Sequence, residues 1–109
     1  MFSNKQTKIE KATQKGDERE LIKLSNDKDM QIRLAAIAGL GKTRGDDGFN
    51  HLILLIRHPD ALIRAAAAKS LGETRNPHAK TYLKAQYKLD TDPAAREAMA
   101  EAAAKIKEF

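Results

Sequence analysis

DALIRAAAAKSLGETR, Asp60 to Arg75, decides the fold, because the chain says nearly the same thing one period earlier. Asp29 to Arg44 reads DMQIRLAAIAGLGKTR. Slid by 31 positions, nine of the sixteen residues coincide: Asp29/Asp60, Ile32/Ile63, Arg33/Arg64, Ala35/Ala66, Ala36/Ala67, Leu40/Leu71, Gly41/Gly72, Thr43/Thr74 and Arg44/Arg75. A weaker third copy opens at Asp92, with Arg96 in the arginine slot, 32 positions on. Self-similarity at a period of about 20–50 residues marks a stacked repeat, in which each unit buries its apolar face on the next.

Each copy reads as a helix. Its aspartate can accept hydrogen bonds from the first free backbone N–H groups and suits the positive end of the helix. Pro93 follows Asp92, where a missing N–H costs nothing. Alanine, the best helix former, fills the body. Gly41 and Gly72 stand about three turns on, where the expectation is a C-cap at positive φ. Ile32, Ala35, Ala36 and Leu40, and their counterparts Ile63, Ala66, Ala67 and Leu71, have the 3, 4 spacing of one buried face. Arg33, Arg64 and Arg96 each follow their aspartate by four residues. The structural reading pairs them with Asp29, Asp60 and Asp92, on the same or the neighbouring unit, as a ladder suited to planar bidentate bonding. The functional alternative is a row of basic ligands for an anionic partner.

Outward from the copies, a short polar helix is expected over 3–14, with Ile9 and Ala12 facing in and Gly16 closing it. Asp17 opens a second helix through Leu24, whose buried side is Leu21, Ile22 and Leu24. After the loop at Gly45 and Gly48, Asp46 or Asp47 starts a helix through Arg57. Phe49, Leu52, Ile53 and Ile56 are its inner face, with Leu54 and Leu55 to the sides. Being apolar nearly all round, it is expected at the centre of the fold. Asn76-Pro77 begins a helix to Leu89, with Tyr82, Leu83 and Tyr87 inward. The last runs from Pro93 to about Lys107 and packs Ala95, Met99, Ala102, Ala103 and Ile106. The expected result is an all-α chain of seven helices in antiparallel pairs. It divides as a cap and first helix over 1–28, repeats over 29–57 and 60–88, and a capping helix over 92–109, together one domain over 1–109.

The chain has 109 residues, a net charge of +5 and no cysteine. That length holds one domain with a modest core. Without cysteines there is no disulfide framework, and a cytoplasmic setting is expected. No run of about 18 apolar residues predicts a membrane span. The charge leaves nucleic acid or an acidic protein as partners, and is also ordinary for solubility.

No cluster supports catalysis or a cofactor. His51, His58 and His78 lack a second ligand at metal spacing. Ser3, Ser25 and Ser70 lack a nucleophile elbow. GLGKT at Gly39–Thr43 lacks the spacing of a phosphate loop, and the second copy makes it a helix end. The reading is therefore non-enzymatic. The working surface expected from geometry is the row opposite the buried face: Met30, Leu34, Ala38 and Lys42, then Ala61, Ala65, Lys69 and Glu73, then Glu97, Glu101 and Lys105. Of these, with Ile37 from the flank, Met30, Leu34, Ile37, Ala38, Ala65, Lys69, Glu97 and Glu101 are the candidates for contact with another protein. Leu34 and Ile37 could equally pack on adjacent helices. The competing surface is a basic stripe, Lys80, Lys84 and Lys88 with Arg75, for nucleic acid. Only Tyr82 and Tyr87 stand near to stack on bases.

The pattern Asp-x-x-x-Arg-x-x-Ala-x-x-x-Leu-Gly resembles the HEAT-like repeat, particularly the short prokaryotic form found in phycobilisome lyases. The resemblance covers two full copies and flanking partial ones. It implies a right-handed α-solenoid of about three stacked hairpins, armadillo/HEAT-like, serving as a protein-binding scaffold. By family analogy alone it also allows a lyase or chaperone-like accessory role, which does not carry over from helix-packing positions. The third copy departs from the pattern: Ala103 and Ala104 stand where Leu-Gly is expected.

Overall fold

The computed structural model describes residues 3–107. Residues 1–2 and 108–109, the outer ends of the domain expected over 1–109, lie outside the described residues. Seven helices follow one another: α1 (Ser3–Lys15), α2 (Glu18–Leu24), α3 (Met30–Leu40), α4 (Asp46–Leu55), α5 (Ala61–Thr74), α6 (His78–Leu89) and α7 (Pro93–Lys105). No strand occurs among the described residues.

The starts are set as the aspartates require. Asp29 and Asp60 each accept the backbone N–H two residues on, at 2.9 Å from Gln31 and Leu62. Asp92 accepts that of Ala95 at 2.9 Å. Helix α4 begins differently. Its N-cap, Gly45, has no side chain to offer. Glu18 at the start of α2 reaches across instead. It accepts from the Thr43 hydroxyl at 2.5 Å, Gly45 N at 3.1 Å and Gly48 N at 3.0 Å. A carboxylate from the neighbouring helix thus meets the N–H groups that a local cap would have taken.

The ends correct the sequence reading. Gly41 is the C-cap of α3 as expected, but at an ordinary helical φ of −68° instead of a positive one, and Gly72 lies inside α5. Helix α5 stops at Arg75, which itself adopts the left-handed conformation, φ 55°. The recurring glycines do other work. A Cβ on Gly41 would lie 3.0 Å from Ser70 Cα, and one on Gly72 would lie 2.9 Å from Ala102 Cα. The pair therefore sets how closely α3 approaches α5 and α5 approaches α7. Thr43 and Thr74 then close the two helices, their hydroxyls lying 2.9 and 2.6 Å from the carbonyls of Leu40 and Leu71. The same logic explains the third copy. Ala104 holds the glycine slot on α7 and is exposed. No described helix lies beyond α7, so nothing there demands a missing side chain.

Helices α1, α3, α5 and α7 lie side by side in that order, and α2, α4 and α6 each pack on the odd helix that follows. The molecule measures 39 × 29 × 17 Å. Its thinnest dimension is about two helices deep at the usual 8–10 Å spacing between axes. The seam between the layers repeats: Ile32, Ile63 and Ala95 occupy one position, Ala36, Ala67 and Met99 the next, and Leu40, Leu71 and Ala103 the third, all buried. Burial of each large side chain in such a seam contributes about 1.5–3 kcal/mol.

Two expectations about the even helices are overturned. Helix α4 is not central. It packs on α5 with Leu52, Leu55 and Ile56 buried, while Leu54 is 65% exposed. It also meets α2 and α3, so one side of its wide apolar stripe is covered while Leu54 on the other is left to solvent. On α6 the inward residues are Ala79 and Leu83, whereas Tyr82 and Tyr87 are exposed. Arg96 lies over the Tyr87 ring, 4.0 Å from its centroid, so that tyrosine takes a cation–π role instead of a core one.

Candidate functional site

The aspartates and arginines that recur together do not pair as the ladder reading expected. Asp29, Asp60 and Asp92 are caps. The acceptors stand two residues before them, at Asp27, His58 and Asp90, and each accepts the N–H of its cap residue at 2.9–3.0 Å. Each acceptor is met by a basic side chain from the preceding odd helix. Lys5 of α1 reaches Asp27 at 2.7 Å. Arg33 of α3 lies 3.3 Å from His58 Nε2. Arg64 of α5 grips Asp90 with Nε at 2.8 Å and Nη2 at 3.0 Å. The rung therefore runs from one unit to the turn of the next. Sequence alignment hid this, because the acceptor position reads Asp, His, Asp, and the first donor is a lysine outside the repeat.

The third rung is the strongest. Asp90 is fully buried at its side chain, and Arg64 also donates from Nη1 to the carbonyls of His58 and Pro59 at 2.8 and 3.0 Å. The guanidinium holds the Asp90 carboxyl below its ordinary range against the opposing effect of burial, and Asp90 in turn raises Arg64. Arg96 ends the series on carbonyls, at Tyr87 and Asp90, 2.7 and 3.2 Å away.

The row expected as the working surface is brought together along one side of the odd layer. A groove of 260 Å³ lies between α1 and α3, walled by Ile9, Thr13, Ala35, Ala38 and Lys42. The next, 430 Å³ between α3 and α5, is walled by Leu34, Ala38, Lys42, Leu62, Ala66, Lys69 and Glu73. The third, 690 Å³ between α5 and α7, is walled by Ala65, Ala66, Lys69, Ala98, Glu101 and Lys105. Neighbouring grooves share walls: Ala38 and Lys42 serve the first two, Ala66 and Lys69 the second and third. Small side chains make the floors. Lys105 bridges the third groove's end to Glu73 at 2.6 Å and holds that carboxyl below its ordinary range.

Among the candidates, Leu34, Ala38, Ala65, Lys69 and Glu101 line these grooves. Met30 is partly buried against the core, and Glu97 is exposed but lines none of the three grooves. Ile37 is a correction: it is fully buried, beneath α5, where Ser70 donates to its carbonyl at 2.8 Å. Its flank of α3 faces the next helix and not solvent. Leu62 was missed. It is 61% exposed on the middle groove, yet its counterpart in the first copy is the polar Gln31, so the repeat alignment gave no apolar signal there.

The basic stripe lies on α6 and at the end of α5. Lys80 donates to the Ile106 carbonyl at 2.9 Å and so helps fasten α6 to the end of α7. Lys88 and Arg75 are exposed, Arg75 at the left-handed end of α5. No group of three or more metal-ligating side chains is gathered among the described residues, and no described helix is long and apolar enough to cross a membrane. His51 serves packing. The Ser25 hydroxyl donates to the Ile22 carbonyl at 2.6 Å, so its oxygen accepts from His51 Nε2 at 2.9 Å. Burial pushes the His51 imidazole below its ordinary pKa.

A family model described as HEAT repeats matches residues 18–105 of the chain. Among curated proteins none matches.

Proposed function

The chain belongs to the HEAT-repeat family, and from that premise we propose that it is a non-enzymatic scaffold that holds another protein along the grooved side of α1, α3, α5 and α7. The observation that carries this is the run of three grooves with shared walls, since successive units there offer one continuous surface instead of isolated pockets. Leu34 and Leu62 face the middle groove and form its apolar anchor point, with Lys42 and Lys69 beside them. Buried apolar anchors framed by polar groups are what protein interfaces use for affinity. In this reading the stacked hairpins form the inner curve of a right-handed superhelix, the surface such arrays use for binding. The alanine and glycine positions that resemble the short lyase-type repeats serve helix packing, so they support the architecture and not chromophore chemistry.

The test is affinity capture with the full chain. Leu34→Asp and Leu62→Asp should each lose the captured protein while retaining wild-type helicity by circular dichroism. Leu54→Asp, on α4 and outside these grooves, should retain it. Undiminished capture by both groove variants would end this assignment.

A further inference from the structure

The second rung differs from the other two in one chemical respect. The acceptor position carries a carboxylate in the first and third, Asp27 and Asp90, but an imidazole in the second, His58. His58 Nδ1 accepts the Asp60 N–H at 2.9 Å, so Nδ1 has no hydrogen and Nε2 of the neutral ring carries it. Nε2 is the atom that faces Arg33 Nη2, at 3.3 Å. Two donors therefore face each other, and no hydrogen bond joins them. Arg33 Nε is buried and has no partner, the one such side-chain atom among the described residues. The contrast with Arg64 is direct. The edge formed by Nε and Nη2 takes both oxygens of Asp90 there. On Arg33 the same two nitrogens lack an acceptor.

We propose that Arg33 and His58 form a carboxylate-binding site, filled by an acidic side chain of the bound protein, which supplies from outside the group that the flanking rungs carry themselves. It rests on the reading that the partner is a protein. An oxyanion bridging the two donors accepts from Arg33 Nη2 and His58 Nε2 together, and reaching Arg33 Nε, which is buried, requires the side chains over it to move. A planar carboxylate matches the Nε–Nη2 edge in the two-bond geometry that Asp90 already shows on Arg64. Arg33 immediately precedes Leu34 of the middle groove, and neither Arg33 nor His58 lines that groove, so the bound segment has to extend beyond it to bring an acidic residue to the site.

The test is a titration of the 109-residue chain, read on the arginine Nε–H resonances by NMR, with acetate or inorganic phosphate exchanged for chloride at constant ionic strength. Acetate should shift the Arg33 Nε–H saturably and leave that of Arg64 unmoved. In His58→Asp the new carboxylate fills the site from within, and the acetate shift should vanish. Arg33→Gln gives a second reading through the Asp60 amide, whose acetate response should be lost with the guanidinium. An unmoved Arg33 signal, or a shift that survives in His58→Asp, would overturn the proposal. Phosphate binding tenfold more tightly than acetate would overturn the carboxylate assignment. No partner is needed for these measurements, so they stand apart from the capture experiment on Leu34 and Leu62. If a partner is captured through the groove, His58→Asp should weaken it at least tenfold, and equal binding would overturn the acidic side chain as occupant.

Discussion

Replacing Asp90 by alanine separates the two roles that acidic residues play in this chain. Asp90 accepts two bonds from Arg64, at 2.8 and 3.0 Å, and a third from Asp92 N at 3.0 Å, with its side chain fully buried. Removing one member of a buried pair costs about 3–5 kcal/mol, since the partner charge is left unpaired. Arg64 keeps its bonds to the His58 and Pro59 carbonyls and is 15% exposed at its side chain, so the lower end applies, about 3 kcal/mol. For a chain of this size that is a fall in Tm of roughly 10–20 °C. Asp60→Ala removes a cap bonded to Leu62 N and should cost only about 1 kcal/mol. Urea unfolding followed at 222 nm gives both values, and a double-mutant cycle of Asp90→Ala with Arg64→Met isolates the pair. If the two aspartates cost the same, or the coupling falls below about 0.5 kcal/mol, then the rung does not run from one unit to the next as described.

Gly72→Ala puts a methyl group against Ala102 Cα at 2.9 Å. Helix propensity alone favours the change by about 1 kcal/mol, overpacking opposes it by about 1–3, and a net loss of about 1 kcal/mol in urea unfolding is expected. A gain would show that α5 and α7 need no glycine to meet. Glu18→Ala deprives Gly45 N and Gly48 N of their acceptor and leaves the Thr43 hydroxyl only the Leu40 carbonyl, and should cost about 2 kcal/mol, with faster amide exchange at Gly48 as the local readout. The pH dependence should have two stages. The His51 pKa is lowered on folding, so the unfolded chain takes the proton first, and stability present above pH 6.5 declines as pH falls through that value. Asp90 is also lowered, so its contribution is complete above its ordinary 3.8 and is lost below it. His51→Gln should flatten the first stage and Asp90→Asn the second, as read from Tm across pH 3–8.

The odd helices were legible in the sequence because capping, alanine content and the 3, 4 apolar spacing all repeat there, and Ile32, Ala36 and Leu40 are buried together with their counterparts. What escaped depends on neighbours that sequence does not name. Gly41 and Gly72 carried a helix-end signal, yet their purpose is to leave room for Ser70 and Ala102 on the next helix. Tyr82 and Tyr87 read as core on hydrophobicity, but α6 turns Ala79 and Leu83 inward. Arg33 and Arg64 face His58 and Asp90, 25 and 26 residues downstream, and of the two only Asp90 accepts from its arginine, so pairing with Asp29, Asp60 and Asp92 on the same or the neighbouring unit did not name the residues that the arginines meet. On the surface, the row taken from the repeat period includes the groove-lining Leu34, Ala38, Ala65, Lys69 and Glu101 but not Leu62, which interrupts that period.

Hydroxyl-radical footprinting of the chain with and without its captured partner tests most directly which surface is occupied, because it reads side-chain accessibility residue by residue. Leu62 and Leu34 on the middle groove should be protected in the complex, while Leu54 and Leu89, 65% and 74% exposed and outside the three grooves, should react as they do in the free chain. Protection at Leu54 or Leu89 with none at Leu34 and Leu62 would contradict the assignment of the grooved side as the binding surface.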